Sequence, residues 1–188
     1  MNIKPNIITI IGLILACISS LIFYFLTYWY ISIIYGVSIF IVGLLDGVDG
    51  TVARKMNKIT KFGGFLDSVL DRLADSIILI SFLKYENIYS VWFSLIPVSF
   101  WIFFAVLGTL LVSYSRSIAE KYLKDYNCDI GLAARSERLL ILAISCWILL
   151  PELGLIIITI ASILTAIYRQ IKYGIKIKEI KNFKNMKK

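Results

Sequence analysis

Apolar residues run along this chain in blocks, each long enough to cross a bilayer, and polar residues collect in the gaps. The first block covers about 6–27 and opens at Pro5-Asn6; a second covers about 29–53. A basic, polar turn follows at 54–61 (RKMNKITK). A third helix is predicted from near Thr60, polar at first and then apolar to about Leu83. Residues 84–90 (KYENIYS) form a short loop. A fourth helix, about 91–120, is apolar first and amphipathic at its end (SYSRSIAEKYLK). Residues 125–131 (DYNCDIG) read as a turn. A fifth helix runs from near Leu132 to Leu150, and Pro151-Glu152 marks another turn. The sixth covers about 153–173 and leads into a basic tail.

A membrane-crossing helix needs roughly 20 mostly apolar residues. The pattern therefore predicts an all-α integral membrane protein with six transmembrane helices. It forms one domain over 1–188, with a basic tail at about 174–188. No soluble second domain and no internal repeat is visible. The first block is as long as a span and lacks a small-residue cleavage site, so no cleavable signal is expected.

Composition agrees: 59% of the 188 residues are hydrophobic and the mean hydropathy is +0.83. Charge then orients the chain. With turns assigned alternately, Lys84 is the one Lys or Arg of 20 that falls on the side away from the termini. The positive-inside rule makes the crowded side cytoplasmic, and both termini with it. The expected location is the cell membrane, multi-pass. The net +8 is an orientation and anionic-lipid signal, with no nucleic-acid partner expected. Cys17, Cys128 and Cys146 lack metal-ligand spacing and read as small packing residues. There is no histidine, so proton transfer near neutral pH falls to carboxylate, tyrosine or lysine.

The second and third helices meet at DGVDGTVARKMNKITKFGGFLDSVLD, Asp46 to Asp71. One ionisable residue at a membrane-helix centre costs roughly 2.5–3.5 kcal/mol on insertion scales. Here Asp46 and Asp49 share one helical face at i, i+3, continued by Ala53. Gly63, Asp67 and Asp71 share another at i, i+4, i+8. Apposed, these faces cluster four carboxylates, a donor set for hard divalent cations, Mg²⁺ or Mn²⁺. Two ions about 3.5–4 Å apart would clamp a phosphoanhydride. Gly50 and Ala53 leave room beside the helix backbone, and Arg54 can fork onto phosphate. Asp75 lies one turn beyond Asp71 and is expected to pair with an arginine such as Arg72 or Arg138.

D-x2-D-G-x2-A-R-x8-G-x3-D-x3-D is complete here and resembles the signature of the CDP-alcohol phosphotransferases. These membrane enzymes move a substituted phosphate from a CDP-linked lipid or alcohol onto a hydroxyl acceptor and release CMP. The resemblance implies that Asp46, Asp49, Asp67 and Asp71 hold the metals and that Asp71 is the general base. It places Asp49, Gly50, Ala53, Arg54, Thr60 and Gly63 around the cytidine diphosphate. PNIITIIG is similar to the family's opening segment and adds Asn6 and Thr9 to that list. A homodimer and a polar cavity open to the cytoplasm and to lipid are also implied.

Ser113, Arg116, Arg135, Arg138, Arg169 and Lys172 fall at the cytoplasmic ends of the last three helices. Arginines facing a cavity receive phosphate or carboxylate; arginines at a membrane rim also form a snorkelling collar. SYSRSIAE and GLAARSERLLI resemble segments of the branch that uses inositol phosphate, the phosphatidylinositol-phosphate and archaetidylinositol-phosphate synthases. Ile118 departs from that branch where a second basic residue often sits. The implied donor is CDP-archaeol or CDP-diacylglycerol. Glycerol 3-phosphate or serine is the alternative acceptor. A cation transporter with an acidic site is the alternative of another class, but no acids line a path across the other helices.

Overall fold

The computed structural model describes residues 5–55, 60–86, 96–123, 128, 130–131 and 133–186, with side chains at 5–6, 49–55, 61 and 181–186 set aside. Among these residues the chain is all helical. The helices are α1 (Pro5–Phe25), α2 (Trp29–Lys55), α3 (Lys61–Ile80), α4 (Val98–Tyr122), α5 (Arg135–Trp147) and α6 (Pro151–Met186). A 3₁₀ turn, Ser81–Tyr85, follows α3.

The ends have local causes. Pro5 and Pro151 open α1 and α6, where a missing N–H costs nothing. Thr60 caps α3: its Oγ1 accepts the Gly63 N–H at 2.9 Å. Pro97 caps α4 without a side-chain acceptor, so Glu86 supplies one from a distance. Its carboxylate accepts the Ser99 N–H at 2.8 Å and the Ser99 hydroxyl at 3.0 Å. At α5 the cap is Ala134, which has no acceptor either. The Glu137 carboxylate accepts the Ala134 N–H at 2.9 Å, half of a capping box.

The last turn of α5 closes in a Schellman motif. Leu150 N–H donates to Ser145 C=O at 2.8 Å and Leu149 N–H to Cys146 C=O at 3.3 Å. Leu149 holds the left-handed position at φ 59°, where glycine is usual. The apolar run to Leu150 therefore contains the end of α5 and the entry to α6. At 13 residues α5 is about 20 Å long, shorter than the predicted 132–150 helix. α6 does the opposite. It continues through the basic stretch to Met186, because Ile and Lys are adequate helix formers and the sole breaker there is Gly174.

Among the described residues four segments are long and apolar enough to cross a membrane: Ile7–Phe25, Trp29–Val48, Val98–Tyr122 and Pro151–Ile180. α3 carries too many charges to count among them, and α5 is too short.

α1 packs against both α2 and α3, α2 against α5, and α6 against α4 and α5. α2 and α3 touch each other little. The acidic faces meet through their carboxylates rather than through close backbone contact. At one end of the bundle Phe23, Tyr35 and Phe82 form an aromatic knot, with Phe23 stacked on Tyr35 at 4.1 Å. The Tyr35 hydroxyl bonds Ser20 at 3.0 Å and Ser81 at 2.8 Å. Lys84 closes this end: its Nζ donates to Leu26 C=O at 3.2 Å and lies 3.9 Å from the Phe23 ring centre.

The α2–α5 contact sets the register of the opposite end. A Cβ on Gly36 would sit 2.7 Å from Trp147 Cδ1 and 2.8 Å from the Ala143 carbonyl oxygen. Two turns on, a Cβ on Gly43 would meet Leu139 at 3.5 Å. These glycines let two antiparallel backbones approach closely. One further turn along this seam brings Asp46 level with Arg135.

Candidate active site

The acidic residues gather at the end of the bundle away from the aromatic knot. Asp46 comes from the second half of α2, and Asp67 and Asp71 from the middle of α3. Each offers a carboxylate oxygen within 4.8 Å of the others. All three side chains are part-buried, which concentrates their field. Hard oxygen donors in this arrangement fit Mg²⁺ or Mn²⁺.

Arg135 and Arg138, from the first turn of α5, reach into this cluster. Arg135 Nη1 lies 2.5 Å from Asp46 Oδ1 and 2.8 Å from Asp71 Oδ1. Its Nε donates to Asp75 Oδ1 at 3.0 Å. The two kinds of contact differ. The Nε bond is well aligned, whereas Nη1 is buried at ion-pair distance with its N–H bonds aimed at neither oxygen. That attraction is Coulombic. Arg138 Nη2 donates to Asp75 Oδ2 at 2.8 Å and Nη1 to Ala133 C=O at 2.7 Å. Each oxygen of Asp75 thus has its own guanidinium. The expected pairing of Asp75 with Arg138 is present, and Arg135 joins it.

A cavity of about 380 Å³ opens beside the cluster. Asp67, Asp71, Ser113, Arg116, Arg135 and Arg169 are among its walls. Its size and polar lining suit a small polar ligand. Arg116 pairs with Glu120 at 2.9 Å, both half-exposed. Arg169 is buried, and donates to Ile130 C=O at 2.6 Å and Val112 C=O at 2.8 Å, holding the 130–131 backbone against α4. On the other side of Arg135 a narrow cleft is lined by Thr9, Gly12, Asp46 and Asp71.

Of the sequence-derived residues, the structure brings together Thr9, Asp46, Asp67, Asp71, Ser113, Arg116, Arg135, Arg138 and Arg169 at one end. Thr60 and Gly63 lie at the start of α3, joined as cap and donor. Asn6, Asp49, Gly50, Ala53 and Arg54 fall on α1 and α2, with side chains outside the described residues. Lys172 lies on α6 with its Nζ 5.4 Å from the Tyr168 ring centre, and is not a wall of the cavity. Ser68, Ser117 and Glu120 are walls that the sequence did not single out, and Arg72, singled out there only as a partner for Asp75, is another. Their signal was there: Ser68 and Arg72 flank the Asp67–Asp71 turn, and Ser117 and Glu120 share a face with Ser113 and Arg116.

The family model described as CDP-alcohol phosphatidyltransferase matches residues 2–167. The archaetidylinositol phosphate synthase of Pyrococcus horikoshii is 34% identical over 171 residues, 90% of this chain and 82% of that one. The protein of the same name from Methanothermobacter thermautotrophicus is 36% identical over 136 residues, 72% of this chain and 62% of that one. The crystal structure of Mycobacterium tuberculosis phosphatidylinositol phosphate synthase with CDP-DAG bound has the same fold. Its TM-score is 0.73 at 21% identity, over 92% of this chain and 87% of that chain.

Proposed function

This chain belongs to the CDP-alcohol phosphatidyltransferase family, and from that premise we propose that it transfers the lipid phosphate of a CDP-lipid to a hydroxyl of an inositol phosphate, releasing CMP. CDP-archaeol and CDP-diacylglycerol are the candidate donors. The observation that carries the reading is the junction of two environments. Asp46, Asp67 and Asp71 converge on one side, and the arginine-lined cavity of about 380 Å³ adjoins them. Relatives named as synthases of inositol phosphate lipids favour that acceptor over glycerol 3-phosphate or serine.

Asp46, Asp67 and Asp71 would hold the divalent cation, joined by Asp49 on the same face of α2. Bound there, Mg²⁺ or Mn²⁺, one or two ions, neutralises charge on the diphosphate and on departing CMP. Asp71 faces both the cluster and the cavity. Its carboxylate takes the acceptor's hydroxyl proton as that oxygen bonds to the lipid-bearing phosphorus. The bond from that phosphorus to the bridging oxygen breaks, and CMP leaves with the electron pair. Gly63, Thr60 and Arg54, with Gly50 and Ala53, border the nucleotide, and Asn6 and Thr9 approach it from α1. Ser113, Arg116 and Arg135 hold the acceptor phosphate, with Arg138 and Arg169 shaping the wall behind them.

The same reading takes α3 and α5 as the third and fifth of six crossings of the bilayer, beside the four longer helices. Both termini and the site then face the cytoplasm, where CDP-lipid headgroups and soluble acceptors meet. A homodimer, carried by the family resemblance, completes it. Purified protein in detergent with Mg²⁺ and a CDP-lipid tests the reaction through CMP release. Release with inositol phosphate and not with glycerol 3-phosphate, serine or inositol is expected. Release with serine or inositol alone would refute the acceptor assignment.

A further inference from the structure

Arg135 stands on the wall between the acidic cleft and the cavity and lines both. One edge of its guanidinium is fixed, because Nε donates a well-aligned bond to Asp75 at 3.0 Å. Asp75 is itself held, through its other oxygen, by Arg138. The other edge is held by charge rather than by aligned hydrogen bonds. Nη1 touches Asp46 and Asp71 at 2.5 and 2.8 Å without aiming an N–H at either. Those two acids also belong to the candidate cation site. A guanidinium edge and a divalent cation crowded onto the same oxygens repel and compete, most strongly in a part-buried site.

We infer that Arg135 is a cation-displaced arm: hinged on Asp75, it holds Asp46 and Asp71 until a divalent cation takes them, and its released edge then serves an anionic acceptor in the adjoining cavity. The inference rests on the proposed metal-dependent transfer and adds an order to it. An acceptor phosphate finds its strongest donor fork after the cation is in place. Water or a wrong alcohol entering a site without cation meets an arginine already committed to carboxylates. The coupling is reciprocal, as linkage requires: an anion that draws Arg135 into the cavity removes the competitor and tightens cation binding by the same factor. Couplings of this kind run roughly 5–150-fold.

Asp75 makes the idea separable from a merely structural role. Losing the hinge charge leaves all of Arg135 to Asp46 and Asp71, so Asp75→Asn should weaken cation binding. Losing the arm should strengthen it. Mn²⁺ binding to purified full-length protein, read from the loss of the free-ion EPR signal, tests both without any turnover. Arg135→Gln is expected to bind Mn²⁺ about fivefold or more tightly than wild type, and Asp75→Asn more weakly. Adding inositol phosphate should tighten Mn²⁺ binding to wild type and leave Arg135→Gln unmoved. Arg135→Lys, which keeps a charge without the fork, should bind Mn²⁺ less tightly than Arg135→Gln. Weaker binding in both Arg135→Gln and Asp75→Asn, or Mn²⁺ affinity unchanged by Arg135→Gln, would overturn the arm while leaving the metal site intact. Failure of wild type to bind Mn²⁺ at all would overturn the metal reading and the arm with it.

Discussion

Gly36→Ala tests how the site is held, far from any reacting group. The added Cβ would meet Trp147 Cδ1 at 2.7 Å and the Ala143 carbonyl oxygen at 2.8 Å. The indole can turn away; the carbonyl belongs to the α5 ladder and cannot. Ordinary contact begins near 3.4–3.5 Å, so α5 must move off α2 by about 0.7 Å. Overpacking of this kind costs about 1–3 kcal/mol. At about 2–4 °C per kcal/mol for a chain of this size, the unfolding midpoint should fall by about 2–12 °C. The displacement also reaches the site. Arg135 lies about 12 Å along α5 from Ala143, on the same rigid rod. A 0.7 Å shift there stretches the 2.5 Å Arg135–Asp46 contact to about 3.2 Å.

Misplacing a reacting constellation by about 1 Å can cost about 100-fold, so CMP release should fall by about ten- to 100-fold at saturating donor. Gly43→Ala is the matched control. Its Cβ would meet Leu139 at an unstrained 3.5 Å on the same seam. It should keep wild-type turnover and stability. The assay is CMP release together with thermal unfolding in one detergent for all three proteins. Equal losses in Gly36→Ala and Gly43→Ala, or wild-type behaviour in Gly36→Ala, would refute the close α2–α5 approach as what registers the site.

Leu149→Gly removes a side chain from the left-handed position that ends α5, and should stabilise the protein by about 1 kcal/mol, read as a higher unfolding midpoint with unchanged turnover. Lys84→Met keeps the aliphatic stem but loses the donor to Leu26 C=O and the charge over Phe23. It should cost about 1–2 kcal/mol, the lower part of the range because the site is part-exposed. Asp71→Asn should abolish CMP release while leaving CDP-lipid binding largely intact; near-normal release would remove the base assignment. Chelation of divalent ions should abolish release in wild type, and Mg²⁺ or Mn²⁺ should restore it.

The acids were legible in the sequence because helical period alone places Asp67 and Asp71 on one face and turns Asp46 toward them. Asp75 could be assigned a guanidinium because an acid one turn deeper in an apolar helix needs one. Of the two arginines the sequence offered for it, Arg72 and Arg138, the second is the partner found, and what sequence did not carry was the addition of Arg135. Arg135 meets Asp46 and Asp71 only because Gly36 and Gly43 draw α5 inward, a contact between residues far apart in the chain. The end of α5 was hidden for a local reason. Its left-handed position holds Leu149 in a run of apolar residues, without the glycine that would mark it. The extent of α6 was hidden by charge: lysines between isoleucines read as a tail, yet nothing in them stops a helix.

The face that carries Asp67, Asp71 and Asp75 changes role along its length. Asp75 has a guanidinium on each oxygen, at 3.0 and 2.8 Å, and both partners are themselves buried or part-buried. Removing either partner would strand a charge, at a cost of about 3–5 kcal/mol for a fully buried pair. Two guanidinium charges already sit on that acid, so a cation approaching it would be repelled by both. One turn earlier, Asp71 shares a single guanidinium nitrogen with Asp46, and neither receives a well-aligned bond from it. Their oxygens remain available to a stronger electrophile at the cost of displacing one arginine edge. Three aspartates at the same spacing are therefore not equivalent. The helical repeat supplies the face, and the arginines of α5 decide where structure ends and metal chemistry begins. This is also a physical reason for the acidic signature to stop at Asp71 when the acidic face runs on to Asp75.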